Sequence, residues 1–533
     1  MFELAGSLIA ACFALILSVA AANNVGVMQQ CGYKNGGYWR WLRRKDNLFY
    51  NRLSVLALML ALATTVVSLC FSFLDYAWSM GLAAATYALL CVLFILASKK
   101  YALKVKTKRT GRAVRLYVLF SFLNIALAIG GFWGLWALAK WNGSEIYALI
   151  AYAPLSLLPI CLPTTLMSAN AITAVFENAR NRKFVKRAGQ VLDETEIIRV
   201  GIVGSYGKTS VKNILKTILS EKYSVVETPE SYNTPMGIAK TVFSSEFTKK
   251  QVFIAEMGAR KAGDISELCA LVKPDYAIFT GVCEQHIATF ESLEAVWQEK
   301  SVILKNVIKK TVCGKSLQAR IESGDFDKGK IAYALDVEKI SLGATETEFM
   351  LKLDGENVQA KTRLLGNAAV ENIALAAALA KTLGLSGEEI ARGISKLQGI
   401  PHRLALIEQN GVYILDDGYN CNPVGAREAL AALCRFKGGK CIVTPGIVEC
   451  GVLEEKINET LGAQIAKANL DKVILVGDTL VGVVKRGYVS ADGDETKLSV
   501  VKTLDLAQAE LSQWLKTGDC VLFMNDLPDV YIP

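Results

Sequence analysis

The sequence predicts an N-terminal bundle of membrane-spanning helices followed by two α/β domains. Three observations predict it. Long apolar stretches crowd the first third of the chain. Strand-like and helix-like segments alternate through the remainder, and the first of those strands runs into a glycine-bracketed Lys-Thr-Ser. At 533 residues the chain has room for three or four domains of ordinary size.

Five stretches are long and apolar enough to cross a bilayer as helices, at about 4–23, 53–73, 77–97, 116–138 and 146–168. The fifth carries Pro154, Pro159 and Pro163, which predicts a kinked or partly re-entrant path. The first has no basic lead and is followed by four more, so it reads as a span rather than a cleaved signal peptide. Basic residues set the orientation. Lys34 to Arg52, Lys99 to Arg115 and Arg180 to Arg187 are rich in Lys and Arg, whereas the alternate loops hold almost none. If all five cross, the N-terminus lies outside and everything after about residue 176 is cytoplasmic. The expected location is a membrane, with the domains that follow the spans on the cytoplasmic side.

The net charge of +9 falls mostly in these juxtamembrane loops, where topology and contact with anionic lipid account for it. No aromatic-interleaved basic surface motif points to nucleic acid, and none is expected as a partner. Thirteen scattered cysteines without a CxxC pair read as reduced thiols, not a disulfide framework or a zinc site.

Beyond the spans, strands are predicted at 197–203, 223–227, 251–256, 275–280, 411–416, 440–444, 472–476 and 519–523. Helices are predicted at 207–220, 263–272, 292–309, 367–383, 387–397, 424–435 and 454–468. This alternation implies largely parallel sheets. Gln398-Gly-Ile-Pro401 ends a helix and starts an extended segment, which divides the chain into 1–175, 176–400 and 401–533.

Residues 197–213 carry the chemistry. Gly204 and Gly207 let the backbone approach an anion, and the N–H groups opening the next helix point at it. Lys208 reaches terminal phosphates, while Thr209 or Ser210 offers a hydroxyl to Mg²⁺. Only two residues separate the glycines, a shortened form of the common phosphate loop. Glu256 closes a predicted strand, where it reads either as a Mg²⁺ ligand or as an N-cap. His286, one of two histidines in the chain, follows the next strand beside the presumed phosphate site. By composition Lys300 is an ordinary solvated helix residue, and Asp416-Asp417 is an ordinary strand-end turn.

Taken in order, several motifs resemble the Mur ligase family, and within it the MurF type, which adds D-Ala-D-Ala to a muramoyl tripeptide. They are Gly204-Ser-Tyr-Gly-Lys-Thr-Ser210, Tyr232-Asn-Thr-Pro-Met-Gly237, Glu256-Met-Gly258, His286 with Lys300, Gly366-Asn-Ala-Ala-Val-Glu-Asn372, Pro401-His-Arg403, and Asp416-Asp-Gly-Tyr-Asn-Cys-Asn-Pro423. The resemblance implies a phosphate-loop central domain and a C-terminal Rossmann-like α/β domain. It also implies an ATP-dependent ligase that forms an acyl phosphate for an amine to attack. Gly204, Ser205, Tyr206, Gly207, Lys208, Thr209 and Ser210 would hold the phosphates. Thr209 with Glu256 would hold one Mg²⁺, and His286 with a carbamylated Lys300 a second. Asn233 would line the reacting site, Asn372 would contact adenine, Arg403 would reach phosphate and Asp417 would hold the ribose.

The chain also departs from the family. Ala368-Ala369 stand where a His-Asn is usual, Tyr206 replaces a small polar residue, and Val521-Leu-Phe-Met-Asn-Asp-Leu-Pro-Asp-Val530 stands where a Lys-Gly-Ser-Arg is usual. Five spans replace the domain that binds a UDP-sugar. The expected function is therefore a membrane-anchored carboxylate–amine ligase acting on a cell-wall peptide precursor, one already attached to lipid being the form the spans suggest. Its amine would be an amino acid or dipeptide. A polyglutamate-type membrane ligase and a catalytically inactive nucleotide-binding scaffold are the alternatives.

Overall fold

A computed structural model describes residues 2–43, 107–141 and 158–524, apart from short breaks at 231, 245–246, 284–289, 291, 354, 419–420, 449 and 451–452. Single residues at 59, 85, 89 and 92 are also described. Residues 1–181 and 182–528 form two compact units.

The first unit is helical: Phe2–Ala20, Ala22–Gln30, Asn35–Leu42, Gly111–Trp141 and the start of Leu158–Glu194. Among the described residues, Gly111–Leu138 and Ile160–Glu194 are long and apolar enough to cross a membrane. A third candidate is the pair Gly6–Ala20 and Ala22–Gln30, bent by 44°. The predicted spans at 53–73 and 77–97 lie outside the described residues. Of the fifth stretch only the part from Leu158 onward is described, and Pro163 sits inside its helix. Val114, Val118, Phe122, Trp133 and Leu138 are exposed along one helix, as lipid-facing side chains are. Polar contacts tie the helices together: buried Asn124 donates to Ser18 Oγ at 3.1 Å and accepts from Thr165 Oγ1 at 2.8 Å.

The second unit holds two six-stranded sheets. The central sheet comprises β1 (Ile198–Val203), β2 (Val225–Glu227), β3 (Val252–Glu256), β4 (Tyr276–Phe279), β5 (Lys310–Cys313) and β6 (Ile331–Tyr333). Its order is β2-β3-β1-β4-β5-β6, parallel throughout. Strands alternate their side chains between two cores. Val200 and Ile202 pack beneath the helices Lys208–Leu219 and Asn367–Thr382, while Val203, Phe253 and Phe279 face the helices Asp264–Val272 and Leu293–Asn306. The crossovers from β1 run to one side and those after β3 to the other. The C-terminal ends of β1, β3 and β4 therefore converge on one crevice, where ligands bind in such sheets.

A small antiparallel sheet, β7 (Val337–Leu342), β8 (Thr347–Leu353) and β9 (Glu356–Thr362), was not predicted. Its middle strand buries Thr347, Phe349, Leu351 and Leu353 at a period of two. The last sheet holds β10 (Ala405–Gln409), β11 (Val412–Asp417), β12 (Lys440–Thr444), β13 (Lys472–Val476), β14 (Leu498–Val501) and β15 (Cys520–Met524), in the order β10-β11-β15-β12-β13-β14. Only β10 is antiparallel.

Candidate active site

β1 ends and the chain turns through 204–207 into the helix Lys208–Leu219. Gly207 makes the turn at φ 74°, and a Cβ there would come within 2.7 Å of Asn372 Oδ1. Both constraints demand glycine. The loop is pinned from β4: Ser205 N donates to Gly281 O at 2.8 Å, and Thr280 Oγ1 donates to the Tyr206 carbonyl. Tyr206 lies against Gly281, where a Cβ would sit 2.2 Å from the phenol oxygen. The hydroxyl of Ser205 is buried without a hydrogen-bond partner. An unspent donor at the floor of a glycine-flanked loop fits a phosphate oxygen.

Two lysines converge on this loop. Lys208 Nζ donates to Gly204 O at 2.8 Å, and Lys300 Nζ donates to the same oxygen at 2.9 Å. Lys300 is 2% exposed, against the solvated position that its composition suggested. Burial, with Lys208 adding repulsion, lowers its pKa to about 7. Burial also lowers Lys208, and Glu256 opposes that shift.

Glu256 closes β3 and is buried. It accepts from Thr209 Oγ1 at 3.0 Å and from Asn233 Nδ2 at 3.2 Å. The carboxylate thus gathers two predicted site residues, and would offer Mg²⁺ a hard oxygen ligand beside a hydroxyl. Sequence reasoning missed its third partner. Lys212, itself buried, places Nζ 3.4 Å from Glu256 Oε2 and donates to the Thr228 and Glu230 carbonyls. It ties the carboxylate to the loop that leads to Asn233. Its signal lay in the helix period: Lys212 follows Lys208 by one turn on the face that Leu215 continues into the core. His286 lies outside the described residues. Among the described residues no group of three or more His, Cys, Asp or Glu side chains could hold a metal.

A cleft opens from the loop toward the last sheet. Tyr206, Gly207, Ser210, Asn372, Arg403 and Asp417 all line it. Asp417 ends β11 and accepts from Leu404 N at 3.1 Å. Burial raises its carboxyl to about 6. The joining segment is bent sharply: His402 (φ 61°) and Leu404 (φ 49°) are both left-handed, and Asp416 holds His402 through Nδ1 at 2.9 Å. Non-glycine residues adopt such φ values only when their surroundings hold them there. Glu371 and Glu428, not singled out from the sequence, also line the cleft.

Family models match in two consecutive blocks: the Mur ligase middle domain over 202–380 and the Mur ligase, glutamate ligase domain over 402–525. The chain belongs to the Mur ligase family. It is an ATP-dependent, ADP-forming peptide ligase of that family's peptidoglycan-building class. Both matches begin beyond the helical unit.

Among similar Mur ligases, the UDP-N-acetylmuramoyl-tripeptide–D-alanyl-D-alanine ligase of Bacillus subtilis is 26% identical over 61% of this chain and 72% of its own. The enzymes of that name from Borreliella burgdorferi and Escherichia coli are 27% and 25% identical, over 56% and 52% of this chain. The chain spans 66% and 64% of their lengths. In fold it resembles MurF from Thermotoga maritima, solved in complex with ADP, with a TM-score of 0.58 and 24% identity over 65% of this chain and 80% of that one. MurF from Acinetobacter baumannii gives a TM-score of 0.58 with 22% identity, over 65% of this chain and 77% of that one.

Proposed function

We propose that this Mur ligase is a membrane-anchored enzyme of MurF type that joins an amino acid or dipeptide amine to the peptide of a lipid-linked peptidoglycan precursor. The observation that carries the catalytic part is the convergence of Lys208 and Lys300 on the Gly204 carbonyl, one strand away from the Thr209–Glu256 pair. The cleft lined by Asn372, Arg403 and Asp417 would take the nucleoside end of ATP. Lys208 and the loop N–H groups would hold the β,γ-phosphates as the γ-phosphoryl passes to a substrate carboxylate. Attack by the amine on the resulting acyl phosphate expels phosphate and closes the amide. Glu256 and Thr209 would hold one Mg²⁺ and His286 with Lys300 a second, which would supply positive charge beside the transferring group.

Lys300 supports its role as a carbamate. A neutral lysine amine near pH 7 attacks carbon dioxide, forming a C–N bond and releasing one proton. The product carries negative charge in place of the ammonium, which replaces repulsion from Lys208 with attraction. A place at the cytoplasmic face of a bacterial membrane is supported by the apolar helices and by the basic segments flanking the apolar stretches. The helical unit that precedes both family matches is what suggests a lipid-linked acceptor.

ADP release by the detergent-purified full chain tests the reading, with UDP-linked and polyprenyl-diphosphate-linked muramoyl peptides as alternative acceptors. Release should require both acceptor and amine, with the lipid-linked acceptor preferred. Turnover on the UDP-linked acceptor alone would overturn the lipid assignment, and ADP release needing neither substrate would overturn the ligase.

A further inference from the structure

The helix Asn367–Thr382 begins in the central domain and carries Asn372 one turn inside the cleft. Its N-cap, Gly366 at φ 87°, has no side chain to cap it, and Ala368 and Ala369 in its first turn have none that could accept a hydrogen bond. The first N–H groups of a helix need acceptors from elsewhere. Here one comes from the other domain. Glu428, on the helix Pro423–Leu433 that packs on the last sheet, accepts from Asn367 N at 2.9 Å through Oε2. Its carboxylate meets the positive end of the helix, where negative charge is favoured. Glu371, one turn further along, opens to the same cleft. Partial burial and then Glu428 raise its carboxyl, so the two acids lie close enough to repel.

We infer that Glu428 is a positioning residue for the nucleotide, a latch through which the C-terminal domain fixes the helix that presents Asn372. The inference rests on the reading of this cleft as the ATP site. The contact joins a helix of the central domain to a helix of the C-terminal domain at the cleft that both line, so it holds the two walls together. Nucleotide held between Asn372 on one wall and Asp417 on the other favours the same closed arrangement. Latch and nucleotide therefore stabilise one state together. Glu428 touches no reacting atom in this scheme and acts through the helix.

The experiment compares Glu428→Ala and Glu428→Gln in the full chain, measuring ADP affinity, KM and kcat for ATP, melting temperature, and proteolysis at 398–404 with and without ADP. A glutamine oxygen still accepts from Asn367 N, so Glu428→Gln should stay within about twofold of wild type. Loss of a cap acceptor should raise KM for ATP and the ADP dissociation constant about fivefold in Glu428→Ala, with kcat little changed. ADP should shield 398–404 from protease in wild type and Glu428→Gln but not in Glu428→Ala. A Glu428→Ala protein with a lowered melting temperature but unaltered ADP affinity and protection would overturn the latch. Asp417→Ala separates the two ideas: if it leaves ADP affinity unchanged, the cleft is not the nucleotide site. If it weakens ADP while Glu428→Ala does not, the latch alone fails.

Discussion

Lys208 and Lys300 donate to one oxygen atom, the carbonyl of Gly204, at 2.8 and 2.9 Å. Two ammonium groups sharing an acceptor in a buried site repel each other, and repulsion from Lys208 adds to the burial that lowers Lys300.

Lys300 is therefore a destabilising residue while it is charged. Its folded pKa, about 7, lies below the ordinary lysine value, so the unfolded chain binds the extra proton between about pH 7 and 10. Stability contributed at this position rises with pH through that window and is lowest below it. Lys300→Met should abolish turnover while raising stability at pH 7 by on the order of a few kcal/mol. Chemical denaturation at pH 7 and pH 9.5 checks this: the gain should shrink at the higher pH. Small carboxylates added to Lys300→Ala should restore part of the activity if a carbamate is the working form.

The Lys212–Glu256 pair makes the opposite case. Removing one partner leaves a charge buried without compensation, which costs about 3–5 kcal/mol. Lys212→Met should lower stability by that order, and Lys212→Met with Glu256→Gln should recover most of it. The double variant should not turn over, because it also loses the carboxylate beside Thr209. Paired denaturation curves and ADP-release assays distinguish the two effects.

Asp417 gives a pH signature. Its carboxyl is raised to about 6, so ionisation destabilises the fold as pH climbs from about 4 to 6, and that cost is complete above 6. Asp417→Asn should be more stable than wild type at pH 7 by about 1–3 kcal/mol and indistinguishable near pH 4. If the ionised acid accepts from ribose hydroxyls, wild-type KM for ATP should fall between pH 5 and 7, and the asparagine variant should show no such fall.

Gly207→Ala tests the loop itself. The new methyl group meets Asn372 Oδ1 and the residue keeps a left-handed φ, so ADP binding should drop at least tenfold. Calorimetric titration with ADP reads this directly.

The strand, loop and helix around Lys208 were legible because a short β-branched apolar run, buried at its last four positions, stops at Gly204 and a helical pattern begins after Gly207. Lys300 was misread on composition, although its spacing from Val296 and Trp297 placed it on the buried face of its helix. β8 was missed with its alternation in plain view, since the charged strands beside it resemble loop. Glu428 had no local signal. Its partner lies 61 residues away in the other domain, and only the closed cleft brings them together.

The contact of Tyr206 with Gly281 binds two distant positions into one heritable unit. A bulkier residue at 281 is admissible only with a smaller one at 206. A chimera that imports a phosphate loop from another ligase must import the end of β4 with it, or leave a hole where the phenol ring now lies.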